Sequence, residues 1–194
     1  AHCTFIHVTQ GRLEDPNATE EAKQAYLKSL LDQNKRAAEA LGGDTIWLGY
    51  VSSNMPSTEA FADRLEKYFV DEKVDLVITH WRGSMHPRHI NTHDAVTLAV
   101  KRLRRKGNPI RLLYGETFED LVGFIPQAYF VLTEEEKDQW FRGLRQYQVF
   151  NGEINDFPYV PYYTNNGKVR QIESGSHGFT VNYMYASLIE PKLW

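Results

Sequence analysis

Cysteine is almost absent: Cys3 is the only one in 194 residues. That excludes an internal disulfide and a zinc cluster built on thiolates, and it fits a reducing, cytoplasmic setting. No apolar run approaches the length of a membrane span. The opening AHCTFIHVTQG lacks the basic segment and long apolar stretch of a secretion signal. Neither sign of charge dominates, with 22 Lys and Arg against 25 Asp and Glu and a net charge of −3. No nucleic-acid partner is therefore expected, and nothing draws the chain to an anionic membrane. Glycine loops of the G-x-G-x-x-G or Walker type are missing, which removes sequence support for a nucleotide-binding protein.

What the chain does have is a core. Hydrophobic residues make up 42% and aromatics 13%, and the length suits a single domain over residues 1–194. Residues 5–8 read as a short strand ending at Gln10-Gly11. Asn17, with Glu20 three residues on, has the spacing of a capping box, and Leu27, Leu30, Leu31, Ala37, Ala38 and Leu41 then recur on one helical face. Residues 45–50 form the next strand. Ser57 caps a helix carrying Phe61, Leu65, Tyr68 and Phe69. The apolar run 74–79 reads as a strand buried on both faces. Residues 87–106 form a helix, and 111–114 a further strand. This alternation predicts an α/β, Rossmann-like fold, a mainly parallel sheet sandwiched by helices. The last 80 or so residues hold a helix capped by Thr133 and Glu136 and a tail, FPYVPYYTNNGK. They read as a C-terminal elaboration, its tyrosines packing on a sheet edge or lining a cleft.

Residues 79–93, THWRGSMHPRHINTH, hold His80, His86, His89 and His93, four of the seven histidines. His80 ends a strand, and ligands in open α/β sheets bind beyond the carboxyl ends of strands. Pro87 suits the first position of the following helix. His86, His89 and His93 are then three and four apart, on one face of the helix start. Neutral imidazole is a common metal ligand. The same histidines also top an apolar stripe (Val96, Val100, Leu103), where a histidine is often a hydrogen-bonded core residue. For His86 and His89 both readings stand; for His80 and His93 the structural one is favoured. The basic run KRLRRK fits the C-terminal end of a helix, where cations oppose the dipole.

VDLVITHWRGSMHPRH followed by INTHDAV resembles the third motif of the PIG-L/LmbE-like deacetylases: a strand, Thr-His, a short loop, then His-x-Asp-His opening a helix. GETFEDLVGFIPQAYFVLTEEE is similar to the later E-x-x-x-D-x-x-GF-x-P segment of that family, and the helix ending in Leu41-Gly42 is also similar. The resemblance implies a zinc-dependent hydrolase that removes an N-acetyl (N-acyl) group from an amino sugar conjugate, such as an N-acetylglucosamine derivative. It implies His89 as the zinc ligand and His86 as the catalytic residue that stabilises the oxyanion and handles protons. A small-molecule amino-sugar substrate and a homo-oligomer are the expected partners.

The chain departs from the family pattern in three places. The Ala-His-Pro-Asp-Asp motif is not found, so the first βα unit of the family is expected to be missing, and the remaining zinc ligands to come from that segment. Its loss is also expected to leave a sheet strand unpaired. Arg88 stands where the family usually has an Asp that orients a histidine. Leu30 and Gln33 stand where it often has Arg and Glu. These departures support the alternative of a divergent, metal-free member acting as a sugar-binding or interaction module.

Overall fold

The structure is a computed structural model and describes residues 2–11, 13, 15–154 and 156–186. Among these, the chain alternates strand and helix from β1 (Thr4–Gln10) through α1 (Glu20–Ala40), β2 (Asp44–Val51), α2 (Thr58–Asp71), β3 (Leu76–His80) and α3 (Pro87–Arg105) to β4 (Arg111–Gly115). Then come β5 (Ala128–Leu132), α4 (Glu134–Leu144), a 3-10 turn at Gln148–Asn151, α5 (Tyr159–Ser174) and β6 (Phe179–Tyr185). The α/β architecture expected from the alternation is present. The strands form two sheets rather than one: a parallel pair β1-β2, and four strands in the order β3-β4-β6-β5. β3 and β4 are parallel, whereas β6, from the C-terminal elaboration, joins β4 antiparallel.

Contacts divide the chain into two units, Ala1–Asn54 with Val131–Thr180, and Met55–Phe130 with Val181–Trp194. In the first, α1 packs against α4. Thr19, not Asn17, caps α1, its hydroxyl accepting the Ala22 N–H at 3.2 Å. Thr19 stands directly before the first helical residue, as a cap must. Gln33 has a local role. It is buried, and its amide exchanges hydrogen bonds with Gln148, donating Nε2–H to Oε1 at 3.1 Å and accepting the backbone N–H at 3.0 Å. α4 has the complete Thr133–Glu136 capping box. The tail read as a C-terminal elaboration is largely helix α5, anchored at Gly167, where a Cβ would come within 2.2 Å of the Phe179 ring.

In the second unit α2 packs on α3. Phe61, Ala62, Leu65 and Phe69 of α2 are buried, as are Ala95, Val96, Ala99, Val100 and Leu103 of α3. At the end of this seam Glu66 accepts from Arg102 at 3.2 Å and from Lys106 at 2.6 Å, while Arg102 also donates to Asp63 at 2.7 Å. Arg104 donates to the Ile110 carbonyl at 2.8 Å. Three cations of the KRLRRK run are thus engaged in closing the helix end. β3 is less covered than its apolar sequence suggests, with Ile78 half exposed. It pairs with β4 at the end of the sheet order, and the flanked strand β4 buries Leu112, Leu113 and Tyr114 instead.

Phe61 is fully buried, so Phe61→Ala should destabilise the protein by about 3–5 kcal/mol, read as a lowered denaturant midpoint. Thr133→Ala removes one helix cap and should cost about 1 kcal/mol.

Candidate metal centre

The parallel register of β3 and β4 pairs His80 with Gly115. Both strands therefore end together, and the segments that follow them leave from the same edge. The segment after β3 carries residues 81–86 into α3, and the segment after β4 carries residues 116–120.

The two segments are clasped. Trp81 donates its indole N–H to the Val122 carbonyl at 2.9 Å, and the Val122 N–H donates to the Gly83 carbonyl at 3.1 Å. Gly83 is needed here because a Cβ would lie 1.9 Å from the Val122 oxygen. Arg82 grips Asp94 of α3 through two bonds of 2.8 and 3.2 Å. The Ser84 hydroxyl accepts the His86 N–H at 3.0 Å, and Pro87 opens α3, so the backbone that presents His86 and His89 is fixed on both sides.

Asp120 is the centre of the cluster. Its side chain is fully buried. The Nδ1–H of His89 donates to Oδ1 at 3.0 Å, the Thr117 hydroxyl makes a short bond to Oδ2, and Ser84 adds a further side-chain hydrogen bond. Burial alone would raise this carboxyl, but the bonds from His89, Ser84 and Thr117 and the pull of His89 outweigh it and take the pKa down to about 2. His80 stacks on His89 with ring centroids 4.3 Å apart, and its Nδ1 lies 3.9 Å from Asp120 Oδ2. Burial, then the neighbouring His89, lower the His80 pKa to about 4 in spite of Asp120, so its ring is neutral near pH 7. His93 donates Nδ1–H to the His80 carbonyl at 2.9 Å and packs between Trp81 and Tyr114. It braces β3 and takes the structural role expected of it. His86 donates Nε2–H to Glu119 Oε1 at 3.0 Å, and its ring centroid lies 5.2 Å from that of His89.

One donor atom from each of His80, His89 and Asp120 can be chosen so that all lie within 4.8 Å of one another. Two imidazole nitrogens and a carboxylate oxygen are a donor set suited to zinc, and three protein ligands leave a fourth position open. Nδ1 of His89 is the nitrogen that faces Asp120, so an ion held by all three residues would take the place of its proton. The chain's own residues therefore fit a metal ion. The structure joins His89 and His86, as the sequence suggested, and adds His80, Asp120 and Glu119, to which the sequence reading gave no chemical role. The signal for the two carboxylates was the segment GETFED directly after a strand.

The match to the PIG-L family, described as GlcNAc-PI de-N-acetylase, spans residues 1–100. The chain belongs to the PIG-L family. The match includes all four clustered histidines and stops before Glu119 and Asp120. PIG-L membership supports a hydrolytic deacetylase. No curated protein matches it. Solved structures share the fold. The 4-carboxy-2-hydroxymuconate hydratase GalB of Pseudomonas putida has a TM-score of 0.72 at 12% identity, covering 100% of this chain and 87% of its own. The N,N'-diacetylchitobiose deacetylase of Pyrococcus horikoshii has a TM-score of 0.67 at 14% identity, with 94% and 72% covered. The zinc-inhibited form of the teicoplanin deacetylase Orf2 has a TM-score of 0.66 at 15% identity, with 96% and 88% covered. A hydratase among them means that the fold alone does not select the reaction.

The Asp120 carboxyl is lower in the folded than in the unfolded chain. Its stabilising contribution is therefore complete above about pH 4 and disappears as the pH falls towards about 2. In metal-free protein, Asp120→Asn should flatten the loss of stability across that window; equal slopes in variant and parent would contradict this. Gly83→Ala should open the clasp and cost about 1–3 kcal/mol, read by denaturant titration.

Proposed function

We propose that the chain is a zinc-dependent hydrolase that removes an N-acetyl or related N-acyl group from an amino sugar conjugate. The observation that carries this reading is the convergence of His80, His89 and Asp120 beside His86. PIG-L membership and the deacetylases among the solved structures support an N-acetylated amino sugar as the substrate class.

In this reading His89 is the metal ligand, with His80 and Asp120 as the groups nearest to it. The sequence reading expected the other ligands to come from a missing segment; His80 and Asp120 are donors within the chain itself. Zinc bound there would polarise the acyl carbonyl and lower the pKa of a bound water. The remaining work falls to the protein. Asp120 holds the His89 ring in place before metal enters. The low His80 pKa keeps that ring's lone pair unprotonated near pH 7. His86 stands one ring away with its Nε2–H committed to Glu119, which leaves Nδ1 to take a proton from the attacking water and then, as Nδ1–H, to stabilise the oxyanion and give that proton to the leaving amine.

Elemental analysis of protein purified without added metal or a histidine tag should find close to one zinc per chain, lost in His89→Ala. His86→Ala should keep the zinc and reduce acetate release from N-acetyl amino sugars by about 10²–10⁴-fold. A well-folded chain that takes up no zinc would overturn the hydrolase mechanism and favour a metal-free sugar-binding module.

A further inference from the structure

Two neighbouring carboxylates, Glu119 and Asp120, meet two histidines of the α3 start, and each takes one. Asp120 holds His89 at 3.0 Å, and Glu119 holds His86 at 3.0 Å. The bonds use opposite nitrogens: Nδ1 of His89 is committed and Nε2 is left, whereas Nε2 of His86 is committed and Nδ1 is left. The environments also differ. Asp120 is fully buried, while the side chains of Glu119 and His86 are 29% and 43% exposed. The first pair is thus sealed and the second is within reach of solvent, as a group that exchanges protons must be.

The backbone of His86 is already fixed by its bond to Ser84 and by Pro87. What the backbone leaves undetermined is the rotation and tautomer of the ring, and one carboxylate on Nε2 sets both. We propose that Glu119 is a positioning residue that acts through His86, holding the ring in the Nε2–H form with Nδ1 as its free nitrogen. The role of that nitrogen in turnover rests on the hydrolase reading above. Arg88 occupies the position where the resemblance expects an orienting carboxylate, and Glu119 reaches His86 from a different element. A half-exposed His–Glu pair with no such role would contribute little to stability and nothing to turnover.

The test uses the full chain and its Glu119→Ala, Glu119→Gln and His86→Ala variants, with zinc as the metal probe. Ring 15N chemical shifts, with His86 assigned by its loss in His86→Ala, should show the Nε2–H form alone in the parent. They should show a mixture of tautomers in Glu119→Ala, and the single form again in Glu119→Gln, which keeps an acceptor oxygen. Zinc content should be unchanged in all of them. With an N-acetyl amino sugar as substrate, Glu119→Ala should lower kcat by about 10–100-fold with KM little changed. In a His86→Ala background it should cost nothing further, because it acts only through that ring.

Independent, multiplying effects of the two substitutions would overturn the proposal, as would loss of zinc in Glu119→Ala. If the zinc-loaded parent releases no acetate, the hydrolase reading fails, and the ring spectra alone decide on Glu119. A tautomer that changes in Glu119→Ala sustains its positioning role, and the same single tautomer in parent and variant overturns it.

Discussion

A fully buried carboxylate is costly unless it is hydrogen-bonded, and Asp120 accepts from His89, Thr117 and Ser84. These donors come from α3, from its own segment and from the segment before α3. Satisfying one charge therefore fixes three pieces of chain at once. The clasp between Trp81, Gly83 and Val122 holds the same two segments from the other side. The position of every histidine that bears on the proposed chemistry follows from these two arrangements: His89 by direct bond, His80 by stacking on His89, and His86 by its place at the helix start.

The cluster also divides labour through hydrogen-bond wiring rather than residue type. Four imidazoles lie in fifteen residues, yet their outer partners make them chemically different. His93 faces a backbone carbonyl, His89 a sealed carboxylate, His86 a solvent-reached carboxylate, and His80 lies 3.9 Å from the same carboxylate as His89. Which nitrogen each ring leaves free is set by that partner.

Much of the fold was legible because it is local. Ser57 and Thr133 cap the helices they were expected to cap, and Pro87 opens α3, because capping depends on residues within one turn. Helix α5 was not legible. Pro161, Asn165, Asn166 and Gly167 argue against a helix, and the contact that favours one, Gly167 under the Phe179 ring, is tertiary. The site divides in the same way. His86 and His89 are visible as a spacing, but Asp120 is 31 residues from His89, and only the parallel pairing of β3 with β4 brings them together. The neighbours of His80, His89 and Asp120, likewise lie on other elements. The exposure of Ile78 was hidden because an apolar strand reads alike at a sheet centre and at its end.

The first unit is discontinuous: Ala1–Asn54 is completed only by Val131–Thr180, and Gln33 waits for Gln148, 115 residues later. On the ribosome, β1, α1 and β2 emerge long before α4 and α5 exist to cover them. His80, His86, His89, Glu119 and Asp120 all lie between, in the single stretch Met55–Phe130. During synthesis the donors of the site are all present in the nascent chain once Asp120 has been made, yet both units wait for later chain: the first for Val131–Thr180, the second for the β6 residues from Val181 that pair with β4.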